Sequence, residues 1–433
     1  MKFSPGCGLN CCLADDFCSV QELSAFYVGG IMLKKVFLLY RDLILLTLIA
    51  VPIGILAGFV DTVFGRTLLW LTEIRSNHVF WFLPFLGVAG VLILWSYKKA
   101  GGRSIKGMAL IFETGHGISP DIPLRLIPFS ILSTWITHLF GGSAGREGVA
   151  VQIGGTIAHW FGRRLPIKDS GKILLIAGMA AGFGGLFRTP IAAAFFALEV
   201  LTVGVLEEKA VLPALIASFT ASYISGLLGL EKFTFLLKDQ IPLSWELVPK
   251  LIIAGVIFGL TGSFFSLCLH KTKESLLKWS KKPYLRIFMI GTAISLLSLL
   301  CWEGRYSGLG TNLIAMSFDH GIYTWDFAFK LFFTVLTLAA GFQGGEVTPL
   351  FSIGASLGVV LSSLLGLSPV FWAALGYAAV FGSATNTLLA PMIMGAEIFG
   401  WEYFPYFAVV CALAYCCNFN LSIYPLQKRK NGY

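Results

Sequence analysis

The sequence predicts an all-α polytopic membrane protein built from two halves of one pattern. Three observations carry this: an apolar composition, recurrent apolar runs and an internal repeat. Of 433 residues, 56% are hydrophobic and only 13% charged, against about a quarter charged in soluble domains. Runs approaching the roughly 20 residues needed to cross a bilayer recur at Leu43–Val60, Val79–Trp95, Leu251–Leu269, Ile287–Leu300 and around Phe407–Cys417. A soluble globular domain is excluded. The 48 glycines are too many for simple rods, since glycine both lets helices approach and interrupts them. Apolar stretches broken by Gly and Pro, such as Gly182–Pro190 and Gly341–Pro349, are tolerated at membrane depth only where backbone lines a cavity or is buried in protein. That favours a transporter or channel over a receptor or anchor.

The repeat is read by sliding the chain along itself. Gly145, Ile153 and Gly154 fall on Gly345, Ile353 and Gly354. Ala180, Ala181, Phe183, Gly184, Thr189, Ala192 and Glu199 fall on Ala378, Ala379, Phe381, Gly382, Thr387, Ala390 and Glu397. Two homologous halves follow, about 36–230 and 245–417. Repeats of this kind place a substrate site at their interface, near the midplane, built from half-helix ends.

In chain order, residues 1–31 lack a basic region leading into an apolar run and are expected to be a disordered tail or a misassigned start. The transmembrane domain is expected over 32–427, and 428–433 form a basic tail. Helical segments are expected at Val36–Arg75, His78–Trp95 and Gly107–Phe112, the last followed by a turn at Glu113–Gly117. Others are expected at Leu124–Phe140, Gly148–Arg163, Gly171–Ala181, Pro190–Leu206 and Leu212–Leu228. After a polar linker at Leu230–Trp245 come Val248–His270, Tyr284–Cys301, a glycine-rich turn at Gly304–Gly310, and Trp325–Ala340. Thr348–Leu365, Ser368–Gly382, Thr387–Phe399 and Tyr403–Cys417 complete the set.

The net charge of +9 needs no nucleic-acid partner, because the basic residues cluster at chain ends and in loops. The positive-inside rule puts both basic termini in the cytoplasm. Four of the nine cysteines, Cys7, Cys11, Cys12 and Cys18, crowd the first eighteen residues without a histidine partner, so neither a metal site nor a disulfide framework is expected. No cofactor is implied. An intramembrane enzyme is disfavoured, since His116, His138, His159 and His270 show no metal-ligand spacing and no Ser-His pairing stands out.

The chemistry concentrates at Gly141–Gly154, where Arg146 and Glu147 stand side by side among glycines. Charge at membrane depth is expensive and usually functional. Three glycine-rich helix starts, at Gly107-Met108, Gly145–Gly148 and Gly344–Pro349, are expected to converge and offer their amides and dipoles to an anion. Neutral amides suit a permeating anion because it must also leave.

These residues resemble the signatures of the CLC family of chloride channels and proton/anion antiporters. Gly145-Arg-Glu-Gly-Val149 is similar to its GREGP motif, Gly344–Pro349 to GGxFxP, and Gly107-Met-Ala-Leu-Ile111 to GSGIP. Ser422-Ile-Tyr-Pro-Leu-Gln427 is similar to the end of the last helix, which carries the family's central tyrosine. The resemblance spans about Leu33 to Gln427 and implies the CLC fold of two inverted repeats of tilted and broken helices, as a homodimer in a bacterial-type cell membrane. It also carries departures: Met108 where chloride branches have Ser, Glu346-Val347-Thr348 in the third motif, and Val149 closing the second. This combination resembles the fluoride-exporting branch, and implies fluoride export against protons, with chloride as the alternative ion.

By position, the resemblance makes Glu147 the gating carboxylate, with pairing to Arg146 as the structural alternative. Met108, Phe112, Gly145, Arg146, Gly148, Val347, Thr348 and Tyr424 become the expected anion-binding residues. The family's internal proton-transfer glutamate aligns with Val200, and Glu346 is the candidate substitute relay or a brace for helix starts. Glu199 and Glu397 are expected to be structural, bound to neighbouring amides or to Arg188.

Overall fold

A computed structural model describes residues 12–238, 241–242 and 244–429, with side chains from residue 40 onward. The side chains of the expected N-terminal tail, its four cysteines included, and residues 430–433 lie outside the described residues.

The first half comprises α1 (Cys12–Asn77), α2 (Val79–Phe82), α3 (Leu86–Ser96), α4 (Met108–Gly115), α5 (Leu126–Leu139), α6 (Glu147–Gly162), α7 (Ser170–Phe187), α8 (Pro190–Glu199) and α9 (Val211–Leu227). The second comprises α10 (Leu247–Trp279), α11 (Pro283–Leu300), α12 (Thr311–Asp319), α13 (Asp326–Ala340), α14 (Val347–Leu365), α15 (Pro369–Thr385), α16 (Leu389–Phe399) and α17 (Phe404–Cys416). Proline opens α8, α11 and α15, where its missing N–H removes no helical bond. Seven helices among the described residues are long and apolar enough to cross a membrane. They are not equivalent: α7 is 89% buried, whereas the apolar window of α11 is only 28% buried. The first lies inside the protein and the second offers its surface to lipid.

The two halves pack alike. A Cβ on Gly154 of α6 would overlap the Gly178 carbonyl of α7, and one on Gly354 of α14 would overlap the Gly376 carbonyl of α15. Both helix pairs therefore touch backbone to backbone. The halves meet where Gly145 and Gly345, equivalent residues, form an antiparallel bridge: Gly145 N–H donates to Gly345 O at 2.5 Å and Gly345 N–H to Gly145 O at 2.8 Å. Reciprocal pairing of equivalent residues is what a local two-fold axis produces. The repeat is inverted, and the fold is the all-helical broken-helix architecture expected.

Three expectations are corrected. The helix from Pro190 stops at Glu199, short of Leu206. Beyond it the carbonyls have distant partners, Val200 O accepting from Gln427 Nε2 and Leu201 O from Lys428 N–H. Thr202–Val203 then pairs in parallel with Lys428–Arg429. The expected turn at Glu113 belongs in part to α4, which runs to Gly115. Finally, α12 stands where no helix is expected, because it opens on Thr311-Asn312 and closes on Asp319 and so shows no long apolar run.

Candidate anion site at the seam between the repeats

Glu147 is the first residue of α6 and is fully buried. Its carboxylate reaches across the seam to the start of α14. Thr348 Oγ1 donates to Oε1 at 2.5 Å and lies 2.6 Å from Oε2, which also accepts the Thr348 N–H at 3.1 Å and the Arg146 N–H at 3.2 Å. A helix N-terminus leaves its first amides unpaired and carries partial positive charge. Here the negative group that meets those donors is a side chain of the opposite repeat.

Arg146 is not a close partner of that carboxylate. Its Nε lies 3.7 Å from Glu147 Oε1, and Nε and Nη1 are buried without a hydrogen bond. The neighbouring ion pair is therefore secondary to the threonine. Gly145, expected among the anion-binding residues, gives its N–H to the bridge with Gly345. Val347 opens α14 with its side chain packed in the core.

On one side of this seam lies a cavity of about 340 Å³, walled by Met108, Phe112, Gly148, Gln152, Glu346 and Tyr424 among others. Gly107, Gly148 and Gly344, one from each of the three helix starts expected to converge, line the same cavity. The Tyr424 hydroxyl is buried without a partner among the described residues, and its ring stands 5.2 Å from that of Phe112. Met108 brings a thioether where a hydroxyl would donate. Gln152, one turn beyond Gly148, leaves its Oε1 unpaired at the same wall, and sequence reading did not single it out.

Sequence reading also missed Lys330. It is fully buried on α13 and donates to Ser143 Oγ at 2.8 Å, Tyr306 O at 3.1 Å and Gly308 O at 2.8 Å. One ammonium thereby pins the loop before α12 to the lead-in of α6. A lone lysine in the apolar run of α13 was the available signal.

Glu199 and Glu397 sit at matching places and exchange roles. Glu199 accepts the N–H groups of Leu388, Leu389 and Ala390 at 2.8–3.1 Å, capping α16. Glu397 accepts those of Ile191 and Ala192 at 3.2 and 2.8 Å, capping α8. Arg188 instead donates to Leu230 O at 3.2 Å. Val200, at the place of the internal glutamate, is buried and apolar.

Known proteins match this arrangement. A family model described as "Voltage gated chloride channel" matches residues 87–418. A protein of Pseudomonas syringae pv. tomato described as "Chloride/fluoride channel protein" is 36% identical over 391 residues, covering 87% of this chain and 84% of the relative. The crystal structure of a CLC-type fluoride/proton antiporter superposes with a TM-score of 0.89 at 51% identity, over 90% of this chain and 99% of the other. A slow cyanobacterial Cl⁻/H⁺ antiporter shares the fold alone, at a TM-score of 0.76 and 19% identity over 86% of this chain and 94% of the other. By the family match over most of its length and by these two close relatives, the chain belongs to the voltage-gated chloride channel, or CLC, family.

Proposed function

We propose that this protein exports fluoride in exchange for protons across a bacterial-type cell membrane, with Glu147 as the group that couples the two. One observation carries the reading: the Glu147 carboxylate holds the amide and hydroxyl of Thr348, donors that a small anion would otherwise receive. A charged Glu147 competes with fluoride for them. A protonated Glu147 has lost the charge that binds it there, so it swings out and the anion takes its place. Proton uptake and anion movement are thereby linked through one set of donors.

The choice of fluoride rests on chemistry and on relatives. Fluoride is small, hard and strongly hydrated, so it needs short contacts to strong donors; Thr348 supplies a hydroxyl and an amide, and the unpaired Tyr424 hydroxyl faces the approach. Met108 withholds the donor that chloride branches place there. The close relatives are named for fluoride, one of them for chloride as well. Glu346, at the cavity wall, is the proton relay in this reading, and Arg146 and Gly148 line the anion's route. The basic ends of α10 and α11 flank the cavity with Lys273 and Arg286, which favours its opening to the cytoplasm, with both termini on that side. A homodimer with one pathway per subunit completes the proposal.

The test is release of fluoride and of chloride from loaded liposomes, recorded with ion-selective electrodes while external pH is followed. Fluoride efflux with stoichiometric proton uptake supports exchange. Chloride efflux exceeding fluoride efflux would replace the ion, and fluoride flux without proton movement would replace exchange with passive conduction.

A further inference from the structure

The helix absent from the sequence reading repeats α4. Gly107, Leu110 and Ile111 recur as Gly310, Leu313 and Ile314, and both glycines take positive φ, 53° and 88°. Each glycine leads into a helix that starts at a cavity. For α12 this is a second cavity of about 400 Å³, walled by Thr72, Arg75, Leu83, Arg305, Ser307 and Thr311 among others. The two cavities lie at opposite ends of α11: Pro283 and Arg286 line the first, whereas Trp302, just past its last residue, lines the second. An 18-residue helix separates its ends by about 27 Å, so the cavities open toward opposite faces of the membrane.

The second cavity is fitted with donors that the described residues leave partly unused. The first α12 bond from the glycine is Ile314 N–H to Gly310 O at 3.0 Å, and Gly310 has no side chain to cap the three amides before it. Ser307 is 4% exposed, lines the cavity, and its Oγ has no hydrogen-bond partner among the described residues. A buried hydroxyl left unpaired is uncommon and asks for a partner. Arg75 is 6% exposed and lines the same wall, with Nη1 donating to His138 O at 2.9 Å. The other charges there are Arg305, which is paired with Asp326, and the exposed Glu303 at the rim. The wall is also tied to the seam: Gly308 N–H donates to Gly142 O at 3.1 Å, and Gly308 O accepts the Ala144 N–H at 3.2 Å.

We propose that this cavity is a second anion site, an outer halide-binding station formed by the amides of Thr311 to Leu313, the Ser307 hydroxyl and the Arg75 guanidinium. Its place on an export route rests on the transport reading above, whereas its capacity to bind an anion does not. The site holds an anion between the Glu147 seam and the outer solution. It is the inverted-repeat counterpart of the approach past Met108.

Two measurements on the full-length protein test it. Crystals grown in bromide should show an anomalous peak within hydrogen-bonding reach of Ser307 Oγ and the α12 amides. Thr311→Glu places a tethered carboxylate at an exposed first-turn position that favours acidic residues, and should abolish that peak. In liposomes the same variant should raise the half-saturating fluoride concentration on the outer side about fivefold, the loss of roughly one hydrogen bond, and leave the inner side unchanged. Ser307→Ala should lower the bromide peak, with the unfolding midpoint confirming an intact fold. No peak in the wild-type protein, or a peak that Thr311→Glu leaves intact, overturns the site. A peak that Thr311→Glu removes, in a protein that moves no fluoride, upholds the site and overturns the transport reading instead.

Discussion

Thr348→Val removes one oxygen and tests the central contact. The Thr348 hydroxyl touches both Glu147 carboxylate oxygens, at 2.5 and 2.6 Å, and the residue is 2% exposed, so no water replaces it freely. Valine keeps the β-branched shape, while the Thr348 and Arg146 amides still hold the carboxylate. A hydrogen bond to a charged group contributes about 1.5–3 kcal/mol, which converts to about 10- to 150-fold in affinity. In the proposed exchange the same donor serves carboxylate and fluoride in turn, so the single variant should weaken both competitors and partly hide its effect. Glu147→Gln removes the competing charge. Fluoride binding measured by titration calorimetry in the Glu147→Gln background, with and without Thr348→Val, therefore reads the anion's own loss. Affinity unchanged within about twofold in that pair, well below the loss of a charged hydrogen bond, would refute the shared donor set.

Other outcomes follow from the same geometry. Glu147→Gln alone should reduce fluoride-driven proton uptake to the liposome background, read from external pH. Met108→Ser restores a hydroxyl to the inner wall and should raise the chloride-to-fluoride permeation ratio by about 2- to 12-fold, the worth of one neutral hydrogen bond, measured by paired electrodes. Glu397→Ala strips the cap from α8, whose amides it accepts at 2.8 and 3.2 Å. It should cost about 1 kcal/mol, seen as a lower thermal midpoint in detergent.

Much of this was legible in the sequence because membrane depth punishes what does not belong there. The Arg146-Glu147 pair among glycines, and the doubled Gly–Ile–Gly spacing, survive any uncertainty about helix ends. The partner of Glu147 was not legible as a contact: Thr348 lies about two hundred positions away, and only the bridge between Gly145 and Gly345 brings them together. For Lys330 the lone charge in an apolar run was legible, but its partners were not. Its charge is satisfied by two backbone carbonyls and a serine, and backbone oxygens leave no trace in residue identity. The polar ends of α12 hid a helix that only its resemblance to α4 exposes.

The two-fold relation between the halves is kept at the Glu199 and Glu397 caps and broken at the seam. Glu199 and Glu397 cap each other's helices as true equivalents, and two carboxylates do so without conflict because each faces its own set of amides. At the seam the equivalents of Arg146, Glu147 and Gly148 are Glu346, Val347 and Thr348. Symmetry there would set a second carboxylate against the first, and like charges sharing one site cannot both stay ionised. With valine opposite glutamate and threonine opposite glycine, one half supplies the carboxylate and the other the hydroxyl that holds it. The Thr348 donors then face one carboxylate, that of Glu147, which is the condition the proposed exchange needs for one anion at a time to displace it.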